Sequence, residues 1–264
     1  MNPESDEKLD AFFSSFGGGA RPHLLLDYDG TLASFRVDRF KSRPWAGARE
    51  LLVRIQQQGR TRMAVITGRP AAEIAPMLGL DPPIEVWGLH GAERIYPDGR
   101  RELELAPSPA QAKLDELRAR LKCDSLGGLY EDKANGAVIH WRGHSPRTAM
   151  HIEERARALF EPLAQMEGLT LLDFEAGLEL RAGRDKGGAV EAILAETSAE
   201  LAAAFPVAYL GDDLSDEAAF RAVNKLTNGL SILVRRTRRE TAAQLWLKPP
   251  VELLDFLERW ANAS

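Results

Sequence analysis

At 264 residues and 44% hydrophobic, the chain is long enough for one large domain or two smaller ones. Its 34 Lys and Arg against 39 Asp and Glu give a formal charge of −5 and a pI near 5.7, no electrostatic reason to expect nucleic acid or an anionic membrane as a partner. A single cysteine, Cys123, excludes an internal disulfide framework, and no stretch approaches the ~20 apolar residues of a membrane span.

The first twenty residues are charged and then Ser/Gly-rich, and they read as a short flexible lead-in to a cytoplasmic protein. Leu24-Leu25-Leu26 then reads as a strand buried on both faces, ending abruptly in Asp27-Tyr28-Asp29-Gly30. If the chain is still extended there, the period of two puts Asp27 and Asp29 on one side, close enough to share a cation. Gly30 lets the chain turn out of the sheet. Ala48, Leu51, Leu52 and Ile55 predict a helix over 45–58, closed by Gly59. Met63-Ala64-Val65-Ile66 is a second buried strand, ending in Thr67-Gly68-Arg69-Pro70, with Pro70 suited to the first turn of a helix over 71–78. A third strand, 84–88, leads into Leu89-His90-Gly91-Ala92-Glu93, and Tyr96-Pro97-Asp98-Gly99 is the turn of a hairpin ending near Leu105. This alternation predicts an α/β fold with a doubly wound, Rossmann-like parallel sheet.

The pattern changes at Ala106-Pro107-Ser108-Pro109. Ser108, Pro109 and Gln111 start a helix that Leu114, Leu117 and Leu121 continue. Two strands follow around Asn135-Gly136, the strongest short hairpin signal. Ser145-Pro146 opens a helix to about Gln165, and strands over 169–174 and 178–181 flank Ala176-Gly177. This αββαββ block predicts a separate domain over 107–181, inserted into a core of 1–106 and 182–264. With Asn135-Gly136 as a two-residue turn, Lys133 faces Val138 and Glu131 faces His140. Leu129, Glu131, Lys133, His140 and Arg142 then share one sheet face, opposite Tyr130, Ile139 and Trp141. Glu179 and Arg181 share a face of their own strand. Such a face can simply be solvated; its carboxylate acceptors and cationic donors also suit a polyhydroxylated sugar.

From Lys186 the first pattern resumes, with a helix over 187–197 and strand Val207-Ala208-Tyr209-Leu210. That strand ends in Gly211-Asp212-Asp213-Leu214-Ser215-Asp216-Glu217, where Ser215 or Asp216 is expected to cap a helix to about Val223. A strand over 230–234, a basic run Arg235-Arg236-Thr237-Arg238-Arg239 read as a solvated loop, and a helix over 250–261 complete the chain.

Three strand ends therefore carry polar clusters: Asp27/Asp29, Thr67/Arg69 and Asp212/Asp213/Asp216. In a parallel sheet these edges converge, and each close carboxylate pair repels by about 4 kcal/mol at an effective dielectric near 20. Something positive must sit among them. Oxygen-only ligands select a hard cation, with Mg²⁺ the best candidate and Lys186 a second positive charge. A carboxylate nucleophile needs an electrophile that yields an activated intermediate, and a phosphoryl group does so as aspartyl-phosphate. Asp29 is placed to protonate the leaving alcohol and to deprotonate the attacking water, and the Thr67 hydroxyl to hold a phosphate oxygen.

D-x-D-G-T-L, then T-G-R, then Lys186, then G-D-D-x-S-D resemble, in order, the four motifs of the haloacid dehalogenase phosphatase superfamily. Within it, Gly88 to Glu93, Tyr130 to Lys133, His140 to Arg142, Leu178 to Arg181 and the stretch from Gly211 to Phe220 resemble the trehalose-6-phosphate phosphatases. The resemblance implies Asp27 as nucleophile, Asp29 as acid and base, and Thr67 and Lys186 as phosphate ligands. It implies Mg²⁺ held by Asp27, the Asp29 carbonyl and Asp212, with Asp213 and Asp216 in support, and a specificity cap where the αββαββ block falls. Gly68, Arg69, His90, Glu131, Lys133, Arg142, Glu179 and Arg181 would contact the substrate, trehalose 6-phosphate, in the last step of trehalose biosynthesis, with a trehalose-6-phosphate synthase as a possible partner. Another glycosyl phosphate, of the sucrose or glucosylglycerate type, or an inactive sugar-phosphate sensor are the competing readings. The chain departs from the family at Ser215, where Thr is usual, and in Arg235 to Arg239, which lack the usual Gly/Ser character.

Overall fold

A computed structural model describes residues 3–17, 21–36, 38–104, 108–133, 135–174, 176–196 and 205–263. The chain divides into two compact units, Met1–Glu102 with Asp185–Ser264, and Leu103–Arg184. In the first, helix α1 (Pro3–Ser14) precedes β1 (His23–Leu26), α2 (Ala48–Gln57), β2 (Arg62–Ile66), α3 (Ala71–Leu78) and β3 (Glu85–Gly88). Two short strands follow, β4 (Glu93–Ile95) and β5 (Arg101–Leu103). The intervening unit contributes α4 (Ser108–Cys123), β6 (Tyr130–Lys133), β7 (Gly136–His140), α5 (Pro146–Ala164), β8 (Leu169–Phe174) and β9 (Gly177–Ala182). The chain returns with α6 (Lys186–Ala195), β10 (Val207–Gly211), α7 (Glu217–Asn224), β11 (Gly229–Val234), β12 (Leu245–Leu247) and α8 (Val251–Ala263).

β1 lies inside an eight-stranded sheet of order β12-β11-β10-β1-β2-β3-β4-β5, parallel from β12 to β3 and antiparallel where β4 meets β3. The alternation of each strand assigns its side chains to two cores. Leu24, Leu26, Met63, Val65, Ala208 and Leu210 face a cluster shared with α2, α3 and α8, whereas Leu25, Ala64, Ile66 and Tyr209 face one shared with α6 and α7. Helices on both faces make the sheet doubly wound, as the alternation predicts. The order reverses at β1: the chain runs out through β2 and β3, then comes back to β10 on the other side. Ligands of open α/β sheets lie at the strands' C-terminal ends beside such a switch. Leu26 pairs with Leu210, so Asp27 and Asp212 leave adjacent strands at nearly the same height.

The second unit is an antiparallel sheet of order β6-β7-β9-β8 with α4 and α5 packed on one face. The Ser145 hydroxyl accepts the Thr148 amide at 3.3 Å and so caps α5 where Ser145-Pro146 signals a start. Among the described residues, no helix is long and apolar enough to cross a membrane.

Four expectations change. The flexible lead-in is largely α1, whose Leu9, Phe12 and Phe13, with Phe16 just beyond it, bury against Phe256 and Trp260 of α8. The β6–β7 register is two residues off: Glu131 pairs with Val138 and Lys133 with Gly136, so Gly136 opens the strand instead of completing the turn. Tertiary ties decide this. Asn135 exchanges hydrogen bonds with Ala182, the last residue of the neighbouring strand β9 (2.8 and 3.3 Å), and Arg118 of α4 donates to the carbonyls of Lys133 and Gly136. A slip of two preserves the faces, so Glu131, Lys133 and His140 still share one. Leu129, however, precedes the strand and packs on the apolar cluster, and Arg142 lies past β7 in an exposed turn. The hairpin end at Leu105, the Ala106-Pro107 boundary and residue 197 lie outside the described residues; within them α6 ends at Ala195.

Candidate active site

Asp27 follows the last residue of β1, and its amide still donates to the Leu210 carbonyl at 2.8 Å, continuing the ladder for one bond. Its carboxylate is therefore fixed at the edge of the sheet, 4% exposed. There it joins Asp212 and Asp216, each offering an oxygen within 4.8 Å of the others. Lys186, at the start of α6 and 2% exposed, places its Nζ 2.7 Å from Asp27 Oδ1 and 2.7 Å from Asp216 Oδ1. Thr31 Oγ1 donates to the other Asp27 oxygen at 3.3 Å.

The three carboxylates have different surroundings. Asp216 is saturated: Oδ1 accepts from Lys186 and from the Tyr209 hydroxyl at 2.6 Å, and Oδ2 from the amides of Asp212 and Asp213 at 3.0 and 2.9 Å. It reaches back into the site, and with Asp213 it forms a capping box on the 3-10 turn Leu214–Asp216 that leads into α7, whose own first turn has no side-chain cap. Asp212, 3% exposed, has an Oδ1 with no hydrogen-bond partner. Gly30 makes room for that side chain: it takes φ +84°, and a Cβ there would lie 2.0 Å from Asp212 Oδ2. Burial, aided by Asp27 and Asp216, pushes the Asp212 carboxyl well above the ordinary range. Burial likewise raises Asp27 to about 7 against the pull of Lys186. For Lys186 burial works the other way, but the carboxylates of Asp216 and Asp27 outweigh it and hold the ammonium above its usual value.

One ammonium among three buried carboxylates leaves an excess of negative charge. At these separations each uncompensated pair repels by about 3–4 kcal/mol at an effective dielectric near 20. A hard cation with oxygen ligands fits this donor set, and the partnerless Asp212 oxygen is a ready ligand.

The carboxylates of Asp29 and Asp213 are not in this group. β1 ends at Leu26, so the extended geometry that would carry Asp29 to the side of Asp27 is lost. Asp29 turns instead to Arg69, which grips both of its oxygens, Nε on Oδ2 at 2.5 Å and Nη2 on Oδ1. Asp213 is half-buried. At the ends of β2 and β3, Thr67, Gly68, Arg69 and His90 come together. The Arg69 amide donates to Thr67 Oγ1 at 3.2 Å, and the His90 amide to the Thr67 carbonyl at 2.8 Å. Leu89 and His90 take left-handed φ of 50° and 59°, which folds the His90 ring over Gly68, where a Cβ would sit 2.6 Å from its Nε2.

On the small sheet, Glu131, Lys133, His140, Glu179 and Arg181 occupy one face, because Val138 pairs with both Glu131 and Glu179 and Gly136 with both Lys133 and Arg181. His140 Nε2 lies 2.8 Å from Glu131 Oε2, and Lys133 Nζ 2.9 Å from Glu179 Oε2. Glu179 Oε1 is buried with no hydrogen-bond partner.

Two features of the site escape a reading of the sequence. Tyr209 serves Asp216 from within β10; a tyrosine in an otherwise aliphatic strand is the signal, since a buried hydroxyl needs a partner. The basic run is not wholly solvated: Arg235 and Arg239 are half-buried and donate to the carbonyls of Asp212 and Asp213 at 3.3 and 2.7 Å.

The fold is that of the haloacid dehalogenase-like hydrolases. The chain superposes on a haloacid dehalogenase-like hydrolase from B. subtilis with a TM-score of 0.62 at 16% identity, covering 89% of this chain and 98% of that one. On the C-terminal domain of C. albicans trehalose-6-phosphate phosphatase the TM-score is 0.76 at 21% identity, over 96% of each chain. The trehalose-phosphatase family model matches residues 25–250, and the chain belongs to that family. A trehalose-phosphate phosphatase from Mycobacterium marinum is 32% identical over 251 residues, 92% of this chain. The chain spans 62% of the length of that relative.

Proposed function

We propose that the chain is a Mg²⁺-dependent phosphatase that hydrolyses trehalose 6-phosphate to trehalose and phosphate, the last step of trehalose biosynthesis, through an aspartyl-phosphate on Asp27. Family membership supports the substrate, and the cluster of Asp27, Lys186, Asp216 and the unpartnered Asp212 oxygen is the observation that carries the chemistry.

In this reading an Asp27 oxygen attacks phosphorus, the bond from phosphorus to the sugar oxygen breaks, and Asp29 gives that oxygen its proton. Water then attacks the acyl phosphate, with Asp29 taking up its proton. Asp29 is gripped by Arg69, so acid–base work requires it to exchange one guanidinium bond for the bridging oxygen. Lys186 and Thr67 hold the phosphate oxygens, Lys186 with the third N–H of an ammonium that gives its other two to Asp27 and Asp216. Mg²⁺, held by Asp27, Asp212 and the Asp29 carbonyl with Asp213 and Asp216 in support, would neutralise the excess carboxylate charge and the charge on the transferring oxygens. Gly68, Arg69 and His90 are proposed phosphate-side contacts. The polar face of Glu131, Lys133, Glu179 and Arg181, with Arg142, is proposed to recognise sugar hydroxyls, which would make the second unit the specificity cap.

Phosphate release across trehalose, sucrose, glucosylglycerate and glucose phosphates, with and without chelator, tests this. Trehalose 6-phosphate is expected to turn over fastest, and excess chelator to abolish activity until Mg²⁺ is returned. Ca²⁺ should rescue poorly, because it takes more ligands at longer distance. Full activity in chelator would remove the metal, and a faster sucrose or glucosylglycerate phosphate would replace the substrate.

A further inference from the structure

From the two arginines that the basic run places behind the Asp212–Asp213 segment, we infer that Arg239, assisted by Arg235, is a positioning residue that sets the affinity of the site for its divalent cation. The inference rests on the reading of Asp212 as a metal ligand.

The Asp212–Asp213 backbone is held from two sides. Asp216 takes both amides, at 3.0 and 2.9 Å. Arg239 Nη2 donates to the Asp213 carbonyl at 2.7 Å, and Arg235 Nη1 to that of Asp212 at 3.3 Å. With its backbone gripped this way, Asp212 has little freedom left in its main chain, while its side-chain Oδ1 is left without a partner.

Arg239 is itself anchored. Its Nη1 donates to Glu217 Oε1 at 2.5 Å and to the Glu240 carbonyl at 2.7 Å. The same glutamate accepts the Thr241 hydroxyl and the Ala242 amide, each at 2.8 Å, which fastens the loop after β11 to the start of α7. Arg235 is braced by β12: its amide donates to the Leu247 carbonyl at 3.0 Å, and its carbonyl accepts Trp246 Nε1 at 2.7 Å. A planar guanidinium can satisfy a carbonyl and a carboxylate together, which a lysine ammonium does less rigidly. Arg236 and Arg238 of the same run are exposed and provide charge-matched controls.

Long-range Coulomb forces and positioning predict opposite signs. Removing a positive charge near a cation site should tighten cation binding, and freeing Glu217 should tighten it further. Loss of a group that orients a ligand weakens it, by about ten- to a hundredfold for such outer partners. Mg²⁺ binding to the full chain is titrated by calorimetry, without substrate, for wild type, Arg239→Ala, Arg239→Lys, Arg235→Ala and Arg238→Ala, each first checked by thermal melting in chelator. Arg239→Ala should weaken Mg²⁺ by roughly tenfold, Arg239→Lys and Arg235→Ala by less, and Arg238→Ala should match or exceed wild type. If Arg239→Ala does not fold, Arg239→Lys decides alone. Arg239 variants that fold and bind Mg²⁺ as tightly as wild type, or tighter, overturn the positioning role and leave the metal site standing. A wild-type chain that binds no divalent cation overturns both.

Discussion

At the edge of the large sheet Asp27, Asp212 and Asp216 crowd around one ammonium, and all four side chains are almost completely buried. On the face of the small sheet Glu131 meets His140 and Glu179 meets Lys133, one base to each acid, with the first pair about half exposed. The residue types are similar and the electrostatic outcome is opposite. In the large sheet acid exceeds base where water is excluded, which leaves uncompensated negative charge that a hard cation would relieve. In the small sheet each of these two carboxylates has a basic partner, with Arg181 on the same face, and the Glu131–His140 pair is about half exposed, so a neutral polyhydroxylated ligand can trade places with bonds already made there at little electrostatic cost. One arrangement suits chemistry on a phosphoryl group and the other suits recognition.

The largest expected effect breaks the first arrangement at its centre. Asp27→Asn should abolish turnover while the metal-free melting temperature stays level or rises, because the amide cannot attack phosphorus and one buried negative charge is gone. A variant with a substantial fraction of wild-type turnover removes Asp27 as nucleophile.

Next comes the small sheet. Glu131→Ala or Glu179→Ala should lower kcat/KM for trehalose 6-phosphate by about ten- to a hundredfold, the equivalent of roughly 1.5–3 kcal/mol for hydrogen bonds to charged groups. Hydrolysis of para-nitrophenyl phosphate, which lacks a sugar, should change little. Parallel losses on both substrates would make these side chains structural and erase the contrast between the two regions.

The smallest effect sharpens the contrast through pH. Asp27 is raised to about 7 by burial, partly offset by Lys186, so below that pH a proton must leave before a cation binds. Mg²⁺ affinity should fall by up to about tenfold per pH unit below ~7 and flatten above it, read by calorimetry in buffers of different ionisation enthalpy. The sign for folding is the reverse. A folded value of about 7 above the ordinary 3.8 means that this carboxyl's contribution to metal-free stability is complete below 3.8 and is lost as pH rises through about 7. Affinity independent of pH across this window would remove the strained carboxylates from metal binding.

Much of this was legible because it is written in local periodicity. The continuous apolar runs Leu24 to Leu26 and Met63 to Ile66, each ending in a polar turn, mark central parallel strands whose ends converge, and the ordered motifs point to one sheet edge. The signal for α1 is present, since Leu9, Phe12, Phe13 and Phe16 follow helical spacing, but the charged and Ser/Gly-rich composition around them masks it and the segment reads as a flexible lead-in. β12 was not legible, because three residues, Leu245 to Leu247, carry too little pattern without the neighbour that pairs with them. In the β6–β7 hairpin, Asn135-Gly136 marked the place of the turn, but ties to Ala182 and Arg118 chose the register.

By itself, the sequence determined the class of fold, the block that interrupts it and the residue types at the strand ends, since side-chain period and turn chemistry are properties of neighbours in the chain. Only the tertiary structure decided which carboxylates share the site. Asp29 went to Arg69, forty residues on, and Asp216 was drawn in by Lys186 and Tyr209. It also turned part of a basic run that looked solvated into a brace behind Asp212 and Asp213. Charges find partners through space, and in a folded chain the nearest opposite charge is often far away in sequence.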